Sequence, residues 1–213
     1  MRRIDLKEAA DFLRNSDNFQ ILMHGSPDGD TIGCGTALCA ALQQIGKKAK
    51  AVCPDPVPKK FAYMFREIEE QDFEPQTIVA VDVADPKLLY SMQEVGERAQ
   101  LCIDHHVSNT EFAERLLLAP EYAAAAELMF ELLKSMPEVK ITDAIADSLY
   151  TGIATDSGCF KYSNTSPQTH VYAAELIQLG ADIVPINYAM FDMKSQGRLK
   201  LEQAVLSRIR YYS

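Results

Sequence analysis

Short apolar runs that end on imidazole or carboxylate side chains, each followed by a helical pattern, constrain this chain more than any other feature. Phe19-Gln20-Ile21-Leu22-Met23 leads into His24, Thr77-Ile78-Val79-Ala80-Val81 into Asp82, and Gln100-Leu101-Cys102-Ile103 into Asp104-His105-His106. Apolar, partly β-branched runs of this length read as buried strands. Strands separated by helical patterns imply right-handed crossovers and a mainly parallel sheet. In such a sheet the carboxyl ends of the strands lie along one edge, so side chains remote in sequence converge there. The expected fold class is α/β, a mainly parallel sheet flanked by helices, with a helical C-terminal portion.

The other elements fit around this frame. Asp5 to Arg14 is an opening helix, with Ile4, Leu6, Ala9, Ala10 and Leu13 on one face. A helix from Thr31 to Ile45 follows the first strand and ends at Gly46, a C′ residue. Lys47 to Cys53 supplies another strand, stopped by Pro54, Pro56 and Pro58, and a short helix covers Lys59 to Arg66. Pro86, suited to a first turn, opens a helix expected to reach Arg98. Beyond His106, Leu116 to Leu118 is a short strand, and Tyr122 to Ser135 and Ile141 to Thr155 are helices, the second capped by Thr142. Pro167 to Leu179, the stretch after Gly180, and Ser195 to Tyr212 complete the helical part.

Composition narrows the function. With 213 residues, 47% of them hydrophobic, the chain can bury a sizeable core. No apolar run reaches membrane-spanning length, and Met1-Arg2-Arg3 does not open a signal peptide, so no membrane partner is expected and the reading is cytoplasmic. The five cysteines (Cys34, Cys39, Cys53, Cys102, Cys159) form no C-x-x-C pair and are expected as reduced thiols. A formal charge of −9 argues against a groove gripping long duplex nucleic acid, because Lys and Arg supply most of that affinity. A small phosphorylated ligand held through metal is compatible with it.

The first junction, His24-Gly25-Ser26-Pro27-Asp28-Gly29-Asp30, places one imidazole and two carboxylates between a strand and a helix N-terminus, where anions are favoured. Pro27 and Gly29 allow a tight turn. The plainer alternative for these seven residues is a solvated turn with Asp30 as N-cap. Carboxylate, imidazole and water ligands suit manganese, magnesium and similar ions, and two such ions generate a hydroxide nucleophile and stabilise charge on a transferring phosphoryl group. His24, Asp28, Asp30, Asp82, His105 and Asp156 suffice for a pair, with Asp82, alone at the end of a buried strand, as the natural bridge. Asp104 is better used orienting a histidine from behind, since ligating imidazoles need their other N–H fixed.

Four ordered blocks carry a resemblance: His24 to Gly33 (HGSPDGDTIG), Val81-Asp82, Asp104-His105-His106 followed by Asn109, and Thr151 to Gly158 (TGIATDSG) with Phe160. With Ala124-Ala125-Ala126-Glu127 between them, they resemble the DHH phosphoesterase family from residue 19 to about 190. The resemblance implies that His24, Asp28 and Asp82 hold one manganese and that Asp30, Asp82, His105 and Asp156 hold the other, with magnesium or cobalt as substitutes. It further implies a catalytic group of Asp82, Asp104 and His106, with His106 facing the scissile phosphate and Asn109 contacting substrate. The most similar subgroup is the bifunctional oligoribonuclease and 3′-phosphoadenosine 5′-phosphate phosphatase type, which implies hydrolysis of very short RNAs, linear dinucleotides or adenosine bisphosphate. Residues 1–190 are the expected catalytic domain and 191–213 a helical connector toward a C-terminal substrate-binding domain that this chain lacks. Metal binding is then expected to survive, with substrate affinity and turnover impaired.

The sequence leaves other readings open. Cys34 and Ser157 stand where the family often has Ser and Thr. An inorganic pyrophosphatase of the related family shares the metal blocks, and an idle nucleotide-binding module is a third possibility. Exposed helices offer surfaces for a homodimer. His170 is expected at the surface or in the core, Cys39 and Cys102 as buried small residues, Lys47, Lys48 and Lys50 along a solvated strand edge, and Phe160 and Tyr162 in core packing.

Overall fold

A computed structural model describes residues 1–210. Its six strands are β1 (Arg2–Arg3), β2 (Phe19–Leu22), β3 (Ala49–Val52), β4 (Thr77–Val81), β5 (Leu101–Asp104) and β6 (Arg115–Leu118). They form one sheet in the order β1-β6-β5-β4-β2-β3, and every pairing is parallel. From β2 the chain moves outward to β3 and then returns to pair β4 on the other side of β2. The β2–β4 boundary is therefore a topological switch point, where loops diverge and leave a crevice at the strands' carboxyl ends.

The helices are α1 (Leu6–Asn15), α2 (Gly29–Gln44), α3 (Gln93–Gly96), α4 (Ala125–Lys134), α5 (Asp143–Asp156), α6 (Pro167–Gln178), α7 (Ile183–Asn187) and α8 (Gln196–Leu206). The α/β class expected from the sequence is the one observed. Strand side chains alternate between two apolar layers: Ile21, Val79, Val81, Leu101, Ile103 and Leu117 face the larger core, while Leu22, Ala80, Cys102 and Leu116 face a smaller one. Every residue of α2 from Gly29 to Leu42 is buried, because the helix lies in the larger core layer and packs closely on α5. That close packing needs glycine. A Cβ on Gly33 would stand 2.4 Å from the Ser148 carbonyl oxygen, and one on Gly152 would stand 2.7 Å from both Ala126 Cβ and Asp30 Oδ1.

Capping explains several boundaries. Asp5 accepts from the Glu8 amide while Glu8 accepts from the Asp5 amide, closing a capping box on α1. Thr142 caps α5 as expected, Ser166 caps α6, and Gly46 ends α2 at φ 80°. Lys47 does more than line a solvated edge: its Nζ donates to the carbonyls of Arg14 and Ser16, each at 2.6 Å, at the end of α1.

Elsewhere the expected boundaries need correction. The single helix expected from Pro86 to Arg98 is a 3-10 segment, Pro86–Met92, followed by the short α3, with a break at Tyr90 (φ 47°, ψ −113°). The helix expected from Tyr122 starts at Ala125. The two-residue β1 was not foreseen, since Arg2 and Arg3 are exposed and carry no apolar pattern. The last helix begins at Gln196 with Ser195 as cap and ends at Leu206, short of the expected Tyr212, which itself lies outside the described residues. Tyr162 is 61% exposed and so is not core packing; Phe160 does pack against the core, with the exposed His170 stacked on it at 5.2 Å. Among the described residues no helix is long and apolar enough to cross a membrane.

Candidate metal centre

The ends of β2, β4 and β5 and the facing ends of α2 and α5 deliver their polar side chains to one place. Asp28 is the N-cap of α2, its Oδ1 accepting from the amides of Asp30 (3.0 Å) and Thr31 (3.1 Å). Asp28, and not Asp30, therefore caps this helix. Asp30 is fully buried and points across to α4, whose N-cap Ala124 has no side chain able to cap it. Its carboxylate accepts from the amides of Ala125 (2.6 Å) and Ala126 (2.9 Å), so one helix supplies the missing cap of another.

Asp82 follows β4 in the left-handed region at φ 55°, a strained position for a residue with a side chain, and it is 2% exposed. Its amide still donates to Ile103 O (2.9 Å), so the turn begins only after the ladder to β5 is complete. Thr31 ties this end of β4 to the first loop, donating from Oγ1 to Val81 O and accepting from the His24 amide, both at 3.2 Å.

Two histidines are held alike. His24 donates from Nδ1 to its neighbour's carbonyl, Gly25 O (2.8 Å), and His105 donates from Nδ1 to Tyr122 O (3.1 Å). Both rings are thereby fixed with Nε2 toward the carboxylates, since a histidine that ligates through one nitrogen usually has the other held by a hydrogen bond. His24 Nε2 lies 3.6 Å from Asp28 Oδ1 and 3.5 Å from Asp82 Oδ2. His105 Nε2 lies 3.4 Å from Asp156 Oδ2, 3.7 Å from Asp82 Oδ1 and 3.9 Å from Asp30 Oδ2. These separations exceed good hydrogen bonds and fall between the roughly 3.0 Å and 4.2 Å that separate cis and trans ligand atoms held at about 2.1 Å by one octahedral cation.

Buried Asp82 Oδ1 and His105 Nε2 have no hydrogen-bond partner. Two such atoms facing each other across 3.7 Å have been taken from water with no hydrogen bond in return. A divalent cation accepts electron pairs from both, so the donor set fits one. The ligand atoms fall into the groups His24, Asp28 and Asp82; Asp30, His105 and Asp156; and Asp82, His105 and His106.

The electrostatics reflect this crowding. Burial, together with Asp28 and Asp156 and against the pull of His24 and His105, pushes the Asp82 carboxyl up to about 6. Asp30 is pushed well above the ordinary range by burial and by Asp82 and Asp156. Burial lowers the histidines, but Asp28 and Asp82 outweigh it at His24, raised to about 11, and Asp156, Asp30 and Asp82 outweigh it at His105, raised to about 10. Without a cation the cluster gathers protons instead.

The third histidine is held differently. His106 donates from Nδ1 to Asp104 Oδ1 (2.8 Å), with Asp82 Oδ1 at 3.5 Å, and its side chain is 42% exposed. Asp104, fully buried, also accepts from the His105 amide (2.8 Å) and from Asn109 Nδ2 (2.6 Å). Burial alone would raise the Asp104 carboxyl; His106 and Asn109 outweigh it and hold it below the ordinary range. Asn109 also donates to Val83 O and accepts from the Glu111 amide, so its amide group is engaged within the protein and steadies Asp104.

All the residues singled out in the sequence, His24, Asp28, Asp30, Asp82, Asp104, His105, His106, Asn109 and Asp156, lie in this one cluster or directly behind it. Sequence reasoning missed Thr31, the Tyr122 carbonyl and the amides of Ala125 and Ala126. The carbonyl and the two amides are backbone groups, which residue type does not report.

A parallel sheet whose switch-point strands present imidazoles and carboxylates to a shared crevice defines an α/β protein with side-chain groups that could hold divalent cations. The chain belongs to the DHH family: the profile described as DHH family, N-terminal domain, matches residues 18–153. It is 32% identical over 197 residues to the bifunctional oligoribonuclease and PAP phosphatase NrnA of Thermus thermophilus, covering 90% of this chain and 59% of that protein. Identity to the protein of the same name from Bacillus subtilis is 26% over 166 residues, covering 76% and 53% respectively. A solved exopolyphosphatase-related protein from Bacteroides fragilis superposes with a TM-score of 0.85 at 26% identity, over 97% of this chain and 66% of that one. The chain thus spans between half and two thirds of the length of these curated relatives.

Proposed function

We propose that the chain is a manganese-dependent phosphohydrolase acting on small nucleotides: short oligoribonucleotides, linear dinucleotides or 3′-phosphoadenosine 5′-phosphate. The observation that carries this reading is the pair of partnerless buried atoms, Asp82 Oδ1 and His105 Nε2, inside a ring of carboxylates. On this reading His24, Asp28 and Asp82 hold one cation, Asp30, His105 and Asp156 hold a second, and Asp82, with one oxygen toward each histidine, bridges them. Bound cations there supply Lewis acidity, polarising a phosphoryl group and making water a competent nucleophile at neutral pH.

The chain's own residues do the rest. Asp104 and Asn109 fix His106 through Nδ1, which leaves Nε2 as the nitrogen that meets the scissile phosphate or protonates the departing oxygen. The left-handed turn at Asp82 leaves its buried carboxylate with one oxygen toward His24 and the other toward His105. The names of the Thermus and Bacillus relatives support the substrate class. Residues 1–190 are assigned to the catalytic unit and those after 190 to a helical extension, since α8 buries none of its residues.

A substrate panel tests the proposal: a three-nucleotide RNA, 3′-phosphoadenosine 5′-phosphate and pyrophosphate, each with manganese and with chelator. Manganese-dependent release of nucleotide or phosphate from the first two supports it. A preference for pyrophosphate would make the chain a pyrophosphatase, and binding without turnover would make it an idle nucleotide-binding module.

A further inference from the structure

Eight residues beyond Asp82, Tyr90 adopts φ 47° and ψ −113°, a conformation that L side chains rarely take. Its neighbour Leu89 is fully buried in the smaller core, yet Tyr90 itself is 53% exposed. Strain of this kind persists only where the surrounding structure imposes it, and it collects at functional sites. Here the flip lays the phenol ring directly on the site loop. A Cβ on Gly25 would stand 2.2 Å from Tyr90 Cε2 and 2.4 Å from Cδ2, so the ring occupies the space that a side chain at Gly25 would need. The Gly25 amide donates to Leu88 O at 2.7 Å, tying the 3-10 segment to that loop. Gly25 is also the residue whose carbonyl fixes His24. An aromatic ring is thus held at the rim of the crevice, one residue from a candidate metal ligand, with half its surface uncovered.

We propose that Tyr90 is a ligand-binding residue that stacks on the nucleobase of a ligand whose phosphate lies at the metal centre. The inference rests on the nucleotide reading above. Stacking on an exposed ring is tolerant of base identity, since every base has a π face, and that suits a site acting on RNA ends of mixed sequence. The hydroxyl is not required and the ring is.

The test compares wild type, Tyr90→Phe, Tyr90→Ala and Tyr90→Gly by calorimetric titration in manganese. The two ligands are adenosine 5′-monophosphate and ribose 5-phosphate, which keeps the sugar and phosphate but has no base. Wild type and Tyr90→Phe are expected to bind the adenylate roughly tenfold more tightly than the Ala and Gly variants. Ribose 5-phosphate affinity is expected to be equal in all four. Tyr90→Gly is expected to melt no lower than wild type, because glycine adopts this backbone freely. Unchanged adenylate affinity in the Ala and Gly variants, or equal loss of both ligands, overturns the stacking role. Should wild type bind neither ligand, the nucleotide reading itself falls, a result distinct from failure of the stacking role alone.

Discussion

Asp82→Asn separates a residue kept for its chemistry from one kept for the fold. In the cation-free protein the buried Asp82 carboxyl is raised from the ordinary 3.8 to about 6, even with His24 and His105 pulling the other way. At about 1.4 kcal/mol per pH unit, ionising it at neutral pH costs the fold about 3 kcal/mol. The sign follows from linkage: a carboxyl raised on folding gives its full stability below the unfolded value and loses it as pH climbs through the folded one. Asparagine keeps the shape, tolerates the left-handed backbone and carries no charge. Allowing for local relaxation, the variant should gain roughly 1–3 kcal/mol at pH 7.5, which for a chain of this size raises Tm by about 3–9 °C. At pH 4 the gain should vanish. Differential scanning calorimetry in chelator reads both values. A variant that melts below wild type at pH 7.5, or gains as much at pH 4, would refute the argument that Asp82 is held against the fold's own preference. Manganese at a hundred times its Kd should add about 2.7 kcal/mol to wild type and far less to the variant.

Cation binding should release protons at pH 7.5, because His24 (about 11) and His105 (about 10) are protonated in the cation-free site. Titrations in buffers of different ionisation enthalpy should report release on the order of two protons, and affinity should weaken as pH falls; buffer-independent heats would contradict this. Asp104→Ala should lower turnover about 10- to 100-fold through the loss of His106 orientation, with a smaller change in manganese affinity, read from steady-state kinetics beside calorimetry. Gly33→Ala should destabilise by about 1–3 kcal/mol, since the new methyl meets the Ser148 backbone, and urea melts would show it as a lower midpoint. Adenylate binding by Tyr90→Phe should match wild type in calorimetric titration.

Much of this arrangement is legible in the sequence for a simple reason. Strands buried on both faces are nearly continuous apolar runs, so the first polar residue after each, His24, Asp82 or Asp104, marks both where the strand stops and which edge it reaches. Asp156 is recovered chiefly through the TGIATDSG block of the family resemblance, because a Thr-Asp-Ser-Gly stretch by itself reads as an ordinary turn. What sequence could not supply depends on contacts between distant elements. Asp28 and Asp30 are equally good caps by residue type, and only the approach of α4, whose Ala125 and Ala126 amides need an acceptor, assigns each its place. The break at Tyr90 was invisible because Pro86 to Arg98 has helical composition; the competing pull comes from Leu89 sinking into the smaller core while Gly25 leaves room for the ring. Arg2 and Arg3 pair with β6 through backbone alone, which no hydrophobic pattern reports.

Anomalous diffraction at the manganese edge, from crystals grown with the cation, tests the central claim most directly. Two peaks are predicted, one beside His24 and Asp28 and one beside His105 and Asp156, with the Asp82 carboxylate reaching both. Density for Asp82 and His105 in direct contact, with no peak between them, would contradict it.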